Sequence, residues 1–350
     1  MMNTAIVWFR QDLRLADQPA LAYACQHFEA VIPLFIDDPT PTTTTRLGSA
    51  SRVWLHHSLQ ALQQALQQRG SQLILRQGEA QAVLQTVLAE TGAQAVLWNR
   101  CYEPASLQRD KTLKAALQNQ VQVKSFNGNL LREPWETLKA DGQPYKVFTP
   151  FWKAMQAQGL PQHVLAEPEQ IKAPPQWPSS LSLESLQLLP RIRWDKDMMQ
   201  PWSVGEAAAQ QHLIHFLQTT VQQYEQSRNQ PAQLGTSRLS PHLHFGEISP
   251  RQIVAQARQW QAEQSGCDSG VQAFVREIAW REFATSVLYH FPHSVTEPLD
   301  SRFAHFPWAQ DIEADYQDWQ QGRTGIPIID AGMRELWQTG WMHNRVRMIV

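Results

Sequence analysis

Short apolar runs alternate with longer amphipathic segments through the first third of the chain. Ala5–Phe9, Ala30–Ile36, Gln72–Arg76, Gln94–Trp98 and Val121–Ser125 read as strands, and Ala16–His27, Ser49–Gln68, Glu79–Glu90 and Ser106–Asn119 read as the helices between them. Apolar strands separated by helix-length segments predict βαβ units and a mostly parallel sheet covered on both faces. No G-x-G-x-x-G follows the first strand, which leads into RQDLRL at 10–15, so an ordinary dinucleotide-binding assignment would rest on fold analogy alone.

The pattern then changes twice. Prolines at 134, 144, 150, 161, 168, 174, 175, 178 and 190 cut helices short, leaving one short helix near Phe151–Ala157. The TTTT run at 42–45 and KAPPQWP at 172–178 are local loop signals. After Pro201 the strand pattern disappears, and Glu206–Gln226, Pro250–Glu263, Val271–Tyr289 and Asp330–Val350 favour helix. The expected fold is an α/β N-terminal domain with a parallel doubly wound sheet at 1–130. A connection at 131–200 wraps across the surface, and an all-helical domain occupies 201–350.

At 350 residues, two domains are the natural expectation. The 43% hydrophobic and 18% charged content argues against disorder, and no apolar stretch is long enough to cross a bilayer. Cys25, Cys101 and Cys267 are too sparse for a disulfide framework or a zinc site, and MMNTAIVWF is not a signal peptide; both features suit a cytoplasmic protein. A net charge of −2 gives no global support for nucleic-acid binding, which would need a local basic rim. Fourteen tryptophans are unusual, although abundance alone identifies no redox role.

The most informative stretch is GTSRLSPHLHFG at 235–246. Gly235 permits a tight turn, and Thr236, Ser237, Arg238 and Ser240 crowd anion-binding side chains ahead of an amphipathic segment. That order predicts a helix N-terminus, where free N–H groups favour phosphate. Taken alone, TSRLS is equally a capped turn without a ligand. EIAWREF at 277–283 and TGWMHNRVRM at 339–348 shift the balance, because each sets tryptophan and arginine in helical sequence, as a pocket for a large planar phosphorylated ligand requires.

With WFRQDLRL at 8–15 and YKVFTPFWK at 145–153, these runs resemble class I DNA photolyases of the photolyase/cryptochrome family along the whole chain. The resemblance implies FAD, held by Tyr224, Thr236, Ser237, Arg238, Leu239, Ser240, Arg281, Asn344 and Arg347. It implies UV-damaged DNA carrying cyclobutane pyrimidine dimers as substrate, met by Arg228, Glu277, Trp280, Asn344 and Met348. Glu277, Trp280 and Asn344 would act in light-dependent repair by electron transfer from reduced FAD to a flipped lesion and back. Trp308 resembles the outer member of a tryptophan chain that photoreduces resting FAD, with core packing as its alternative. Spacing agrees in part: Glu277 and Trp280, like Asn344 and Arg347, stand three apart and share a helix face.

The resemblance further implies a monomer and, because the family continues beyond the position of Val350, a chain that is a fragment with an incomplete FAD domain. It also implies an antenna chromophore in the α/β domain near WNRCYEPASLQRD at 98–110. Ala105 and Ser106 stand where folate-binding members have an Asn-Glu pair, which favours a deazaflavin over methenyltetrahydrofolate. A cryptochrome-type flavin photoreceptor and a noncatalytic flavin- or DNA-binding protein are the competing readings.

Overall fold

A computed structural model describes residues 2–39, 47–161 and 163–350; the threonine run at 42–45 lies outside the described residues. The chain opens with β1 (Thr4–Phe9), α1 (Pro19–His27), β2 (Ala30–Asp37), α2 (Ser49–Gln68) and β3 (Ile74–Gln77). It continues with α3 (Ala80–Thr91), β4 (Ala95–Asn99), α4 (Pro104–Leu117) and β5 (Gln122–Phe126). All pairings are parallel in the order β3-β2-β1-β4-β5, with Ile6 opposite Ile32 on one side and Val96 on the other. Every residue of β1 is buried. Ala5, Val7 and Phe9 pack with α1 and α2, while Ile6 and Trp8 pack with α3 and α4, which is why the central strands are near-continuous apolar runs.

The strand order reverses between β1 and β4, so the loops after their carboxyl ends diverge and leave a crevice. Helix α1 starts later than its expected start at Ala16. Asp17 adopts φ +50°, Gln18 accepts the Leu21 N–H at 2.8 Å, and Pro19 takes the first turn, where its missing N–H costs nothing.

The proline-rich segment lies along the first domain. Leu165 and Lys172 offer carbonyls to Asp17 and Val31, and Ile171, Leu183, Leu186 and Leu188 are buried in its core. Its helix α5 (Phe148–Ala157) starts three residues before the expected Phe151. Beyond it come α6 (Asp195–Met199), α7 (Glu206–Thr219), α8 (Tyr224–Ser227), α9 (Ser240–Phe245), α10 (Pro250–Glu263) and α11 (Asp268–His290). Helices α12 (Glu313–Gln320), α13 (Pro327–Thr339) and α14 (Asn344–Ile349) complete the described chain.

Two expected long helices are broken. The 206–226 helix ends at Thr219, whose hydroxyl bonds back to the His215 carbonyl, and a tight turn at 221–223 precedes α8. Helix α11 presses on that turn: a Cβ at Gly270 would lie 1.7 Å from the Val221 carbonyl oxygen. The 330–350 helix is split at Gly340, which ends α13 at φ +71°.

RQDLRL is the seam between the two halves. Arg14, fully buried, donates to the carbonyls of Ala16, Asp17, Gly128 and Gly246. The Glu206 carboxylate accepts the N–H groups of Leu15 and Ala16 at 2.7 and 2.9 Å, and Asp17 binds Ser249 and Arg251. At Gly246 a side chain would collide with the Gln11 carbonyl, 2.0 Å from its Cβ, so only glycine lets the two backbones meet.

Candidate functional site

The run 236–240 leads into the N-terminus of α9, with Ser240 as its first residue and Leu239 as N-cap. The left-handed residue of this turn is Arg238, at φ +50°. Gly235 serves close approach instead: a Cβ there would sit 2.5 Å from the Ser227 carbonyl oxygen. A non-glycine residue in this conformation carries strain of about 1 kcal/mol or more, which surrounding structure must hold in place. The Arg238 guanidinium lies over the Trp341 ring at 4.6 Å and near Trp202 at 5.9 Å. Among the described residues it has no hydrogen-bonded or ion-pair partner, so its fork is free for an anion.

The same indoles line a cavity of about 420 Å³, together with Trp54, Ser240, Pro241 and Arg347. Indole walls, a hydroxyl, and two arginines at or beside one cavity form a donor set that fits a flat ring bearing phosphate, as FAD does. Leu239 is buried beneath this turn. Ser237 Oγ accepts the Leu239 N–H at 3.5 Å, and Thr236 and Ser237 are both half-buried.

A second group gathers on one face of α11. Arg228 Nη1 donates to Glu277 Oε1 at 2.5 Å, and both side chains are largely shielded. The Arg228 guanidinium also lies 5.7 Å from the Tyr224 ring. One turn along, Trp280 lies flat on Phe148 of α5, ring centroids 3.7 Å apart at 11°, yet keeps 44% of its surface exposed. Helix α14 approaches from the other side: Arg345 Nε donates to Asn229 Oδ1 at 2.9 Å, and Asn344 Nδ2 lies 3.9 Å from Met348 Sδ. Asn344 and Met348 are exposed. An exposed indole on a rigid aromatic support, beside a carboxylate and arginines, is suited to a flat polar ligand arriving from solvent.

Three expected site residues stand elsewhere. Tyr224 is buried against Phe216 and Phe274, deeper than a half-buried helical tyrosine, and that burial pushes its hydroxyl up to about 12. Arg281 donates to the Asn129 carbonyl at 2.6 Å and lines a separate 70 Å³ cavity with Glu103 and His244. Trp308 is 73% exposed and touches Phe306, so it is not a core residue. Sequence reasoning missed Trp54, Trp202 and Phe148. Their only signals were the tryptophan count and the YKVFTPFWK run, because each reaches its place through tertiary packing.

The crevice at the carboxyl ends of β1 and β4 has a volume of about 680 Å³ and is lined by Arg10, Arg52, Ala105, Ser106, Arg109 and His244 among others. His244 and Phe245 of α9 line this crevice and the indole-walled cavity alike. Burial holds the His244 imidazole below its ordinary value. Among the described residues no cluster of three metal-ligating side chains occurs, and no helix is long and apolar enough to cross a membrane.

Residues 5–175 match the DNA photolyase family, and residues 274–350 match the FAD binding domain of DNA photolyase. The chain is 42% identical to a deoxyribodipyrimidine photo-lyase of Agrobacterium fabrum over 99% of its own length and 71% of that relative's. It is 37% identical to Cryptochrome-2 of Arabidopsis thaliana, covering 59% of that protein. The crystal structure of a class III photolyase from Agrobacterium tumefaciens superposes with a TM-score of 0.95 at 41% identity, over 100% of this chain and 72% of that one. The similarity thus reaches the family and does not confirm the expected class I assignment.

Proposed function

The chain belongs to the photolyase/cryptochrome family, and we propose on that footing that it repairs cyclobutane pyrimidine dimers in DNA with light, as a deoxyribodipyrimidine photo-lyase. One observation carries the reading: the free Arg238 fork beside an indole-walled cavity, in a chain that also presents the Glu277–Trp280 face to solvent. We place the chain with class III rather than class I, on its 41% identity to the Agrobacterium structure.

Bound FAD supplies one-electron chemistry when reduced and excited by light. The protein's part is to bind and orient. Arg238, Thr236, Ser237 and Ser240 would hold the phosphates, Arg347 and Trp341 would line the ring's site, and Leu239 and Tyr224 would support the pocket from the helical core. Arg281 acts from the neighbouring cavity by fixing the 129–130 loop against α11. The lesion has to leave the DNA stack to reach such a face. Trp280 stacks on the flipped bases, Glu277 and Asn344 hydrogen-bond their edges, Met348 adds adaptable apolar contact, and Arg228 meets a backbone phosphate. Trp308, exposed at the surface, passes electrons inward to restore the reduced cofactor.

The β1/β4 crevice supports an antenna chromophore of planar, polycyclic shape. A deazaflavin fits Ala105 and Ser106 better than a folate does, because neither side chain offers the carboxylate and amide of the folate-type pair. We divide these roles as antenna domain 1–130, connection 131–200 and flavin–lesion domain 201–350.

The test is chromatographic identification of released chromophores, coupled to repair of an oligonucleotide carrying one defined dimer. Released FAD with repair only in the reduced, illuminated protein is the expected result. FAD without repair would establish the photoreceptor reading, and absence of flavin would reject both.

A further inference from the structure

Trp54 connects the indole-walled cavity to a buried acid that has no part in the reading above. Its ring lines the cavity, and its Nε1–H donates to Glu247 Oε1 at 3.0 Å. The other oxygen, Glu247 Oε2, lies 2.5 Å from His242 Nδ1. Glu247 and His242 are both fully buried. His242 Nε2 has no hydrogen-bond partner among the described residues. With its proton on Nδ1, His242 keeps a free lone pair on Nε2, so the Glu247–His242 pair has room for one more proton. On the opposite side, Trp202 meets the Trp54 ring edge-on at 5.3 Å and is itself half-buried.

We propose that Trp54 is a second light-driven electron donor to the bound flavin, with Glu247 as its proton acceptor. The inference rests on the cavity holding FAD. One electron leaves the Trp54 ring for the light-excited oxidised flavin, which is reduced by that electron. An oxidised indole is a far stronger acid than a neutral one, so the Nε1–H bond breaks and the proton passes to Glu247 Oε1. A neutral indolyl radical remains on Trp54 and a neutral carboxyl on Glu247. Proton loss removes the positive charge that would draw the electron back, in surroundings where burial magnifies charge interactions. Trp202 then returns an electron to Trp54 as Glu247 returns the proton, and a thiol in solution re-reduces Trp202. This route shares no residue with Trp308.

A purely structural role would be to tie α2 to the segment after α9, and glutamine at 247 retains that role because its carbonyl still accepts the indole N–H. Flash excitation of the FAD-loaded protein with oxidised flavin, followed by transient absorption of tryptophan radicals, tests the proposal. In a Trp308→Phe background a residual radical should form and should fall at least fivefold on adding Trp54→Phe. Glu247→Gln should keep the initial radical yield, shift its spectrum from neutral radical to cation, and shorten its life at least tenfold. Ultraviolet resonance Raman of the flavin-free protein, wild type against Glu247→Gln, should show one indole N–H band moving to weaker hydrogen bonding. Trp54→Tyr, which keeps an aromatic ring, replaces Trp54→Phe if the latter does not fold. An unchanged residual radical without Trp54, or an unchanged radical lifetime in Glu247→Gln, overturns the proposal while leaving the repair reading intact. Failure of the wild type to bind FAD would overturn both.

Discussion

Arg228 and Glu277, which the family resemblance sends to a DNA phosphate and to a lesion base, are bonded to each other at 2.5 Å. Each therefore occupies the other's charge before substrate arrives, and substrate must exchange one ion pair for two new contacts. We predict that Glu277→Gln frees Arg228 for any phosphate. Affinity for undamaged DNA should rise, and its salt dependence should steepen by about one unit of log K per log salt. Affinity for dimer-containing DNA should not rise in step, so damaged-to-undamaged discrimination falls by roughly tenfold, the worth of one charge-assisted hydrogen bond. Titrations of both DNAs at several salt concentrations check this; unchanged discrimination would remove Glu277 from lesion recognition.

The stack of Trp280 on Phe148 makes a different prediction. Phe148→Leu leaves Trp280 in place but unsupported, and an aromatic pair contributes about 0.5–1.5 kcal/mol beyond area burial. Lesion affinity should fall by roughly two- to tenfold while FAD content stays at wild type. Trp280→Phe should weaken lesion binding at least as much. Equal loss of folded protein in both variants would mean that the pair only packs α5 against α11.

For Arg238 the expected cost of Arg238→Ala is about 1.5–3 kcal/mol of FAD binding, roughly ten- to a hundredfold in Kd. Arg238→Lys keeps the charge but loses the planar fork and its stacking on Trp341, and should fall between alanine and wild type. Equilibrium dialysis of FAD orders the three proteins. Alanine equal to wild type would take Arg238 out of the phosphate site.

Trp308→Phe should slow photoreduction of oxidised FAD at least tenfold under steady illumination with a thiol donor. The recovery of reduced-flavin absorbance measures it. Because Trp308 is 73% exposed, its replacement should leave the melting temperature within about 1 °C of wild type, as is usual for surface positions. A large drop in melting temperature would return Trp308 to a packing role.

Glu282 gives the fold a pH dependence. Burial is the main cause that pushes its carboxyl up to about 7, against the N–H groups of Leu131 and Arg132 and the Arg281 guanidinium, which favour the charged form. The folded protein thus holds a proton that the unfolded chain releases at lower pH. Stability from this group is fully present below the ordinary carboxylate range and is lost as pH rises through about 7, a change on the order of 3 kcal/mol. Melting curves from pH 5 to 8 should show this decline in wild type and a flatter profile in Glu282→Gln.

The parallel sheet was legible because doubly covered strands are near-continuous apolar runs, a signal independent of distant partners. Helix ends were less legible: the expected 206–226 helix stops at Thr219, and the turn that follows packs against Gly270 from a remote part of the chain. The turn at TSRLS was legible, but not that Arg238 takes its left-handed position while Gly235 passes close to Ser227. The pairing of Arg228 with Glu277 lay beyond any spacing rule, being set by how α8 meets α11. Trp54 of α2 and Trp202, at the start of the helical domain, joined one wall from distant parts of the chain, which no local pattern encodes.

Helix α9 contributes His244 and Phe245 to both the sheet-edge crevice and the indole-walled cavity, and glycine at 246 fixes it against the RQDLRL backbone. One short partition thereby separates the two compartments, as a shared wall separates adjoining rooms. Excitation passed between their occupants would depend on a distance and an angle built into that partition rather than adjusted by either ligand. Substitutions enlarging one compartment would shrink or tilt the other, so the proposed antenna and flavin sites would be tuned together.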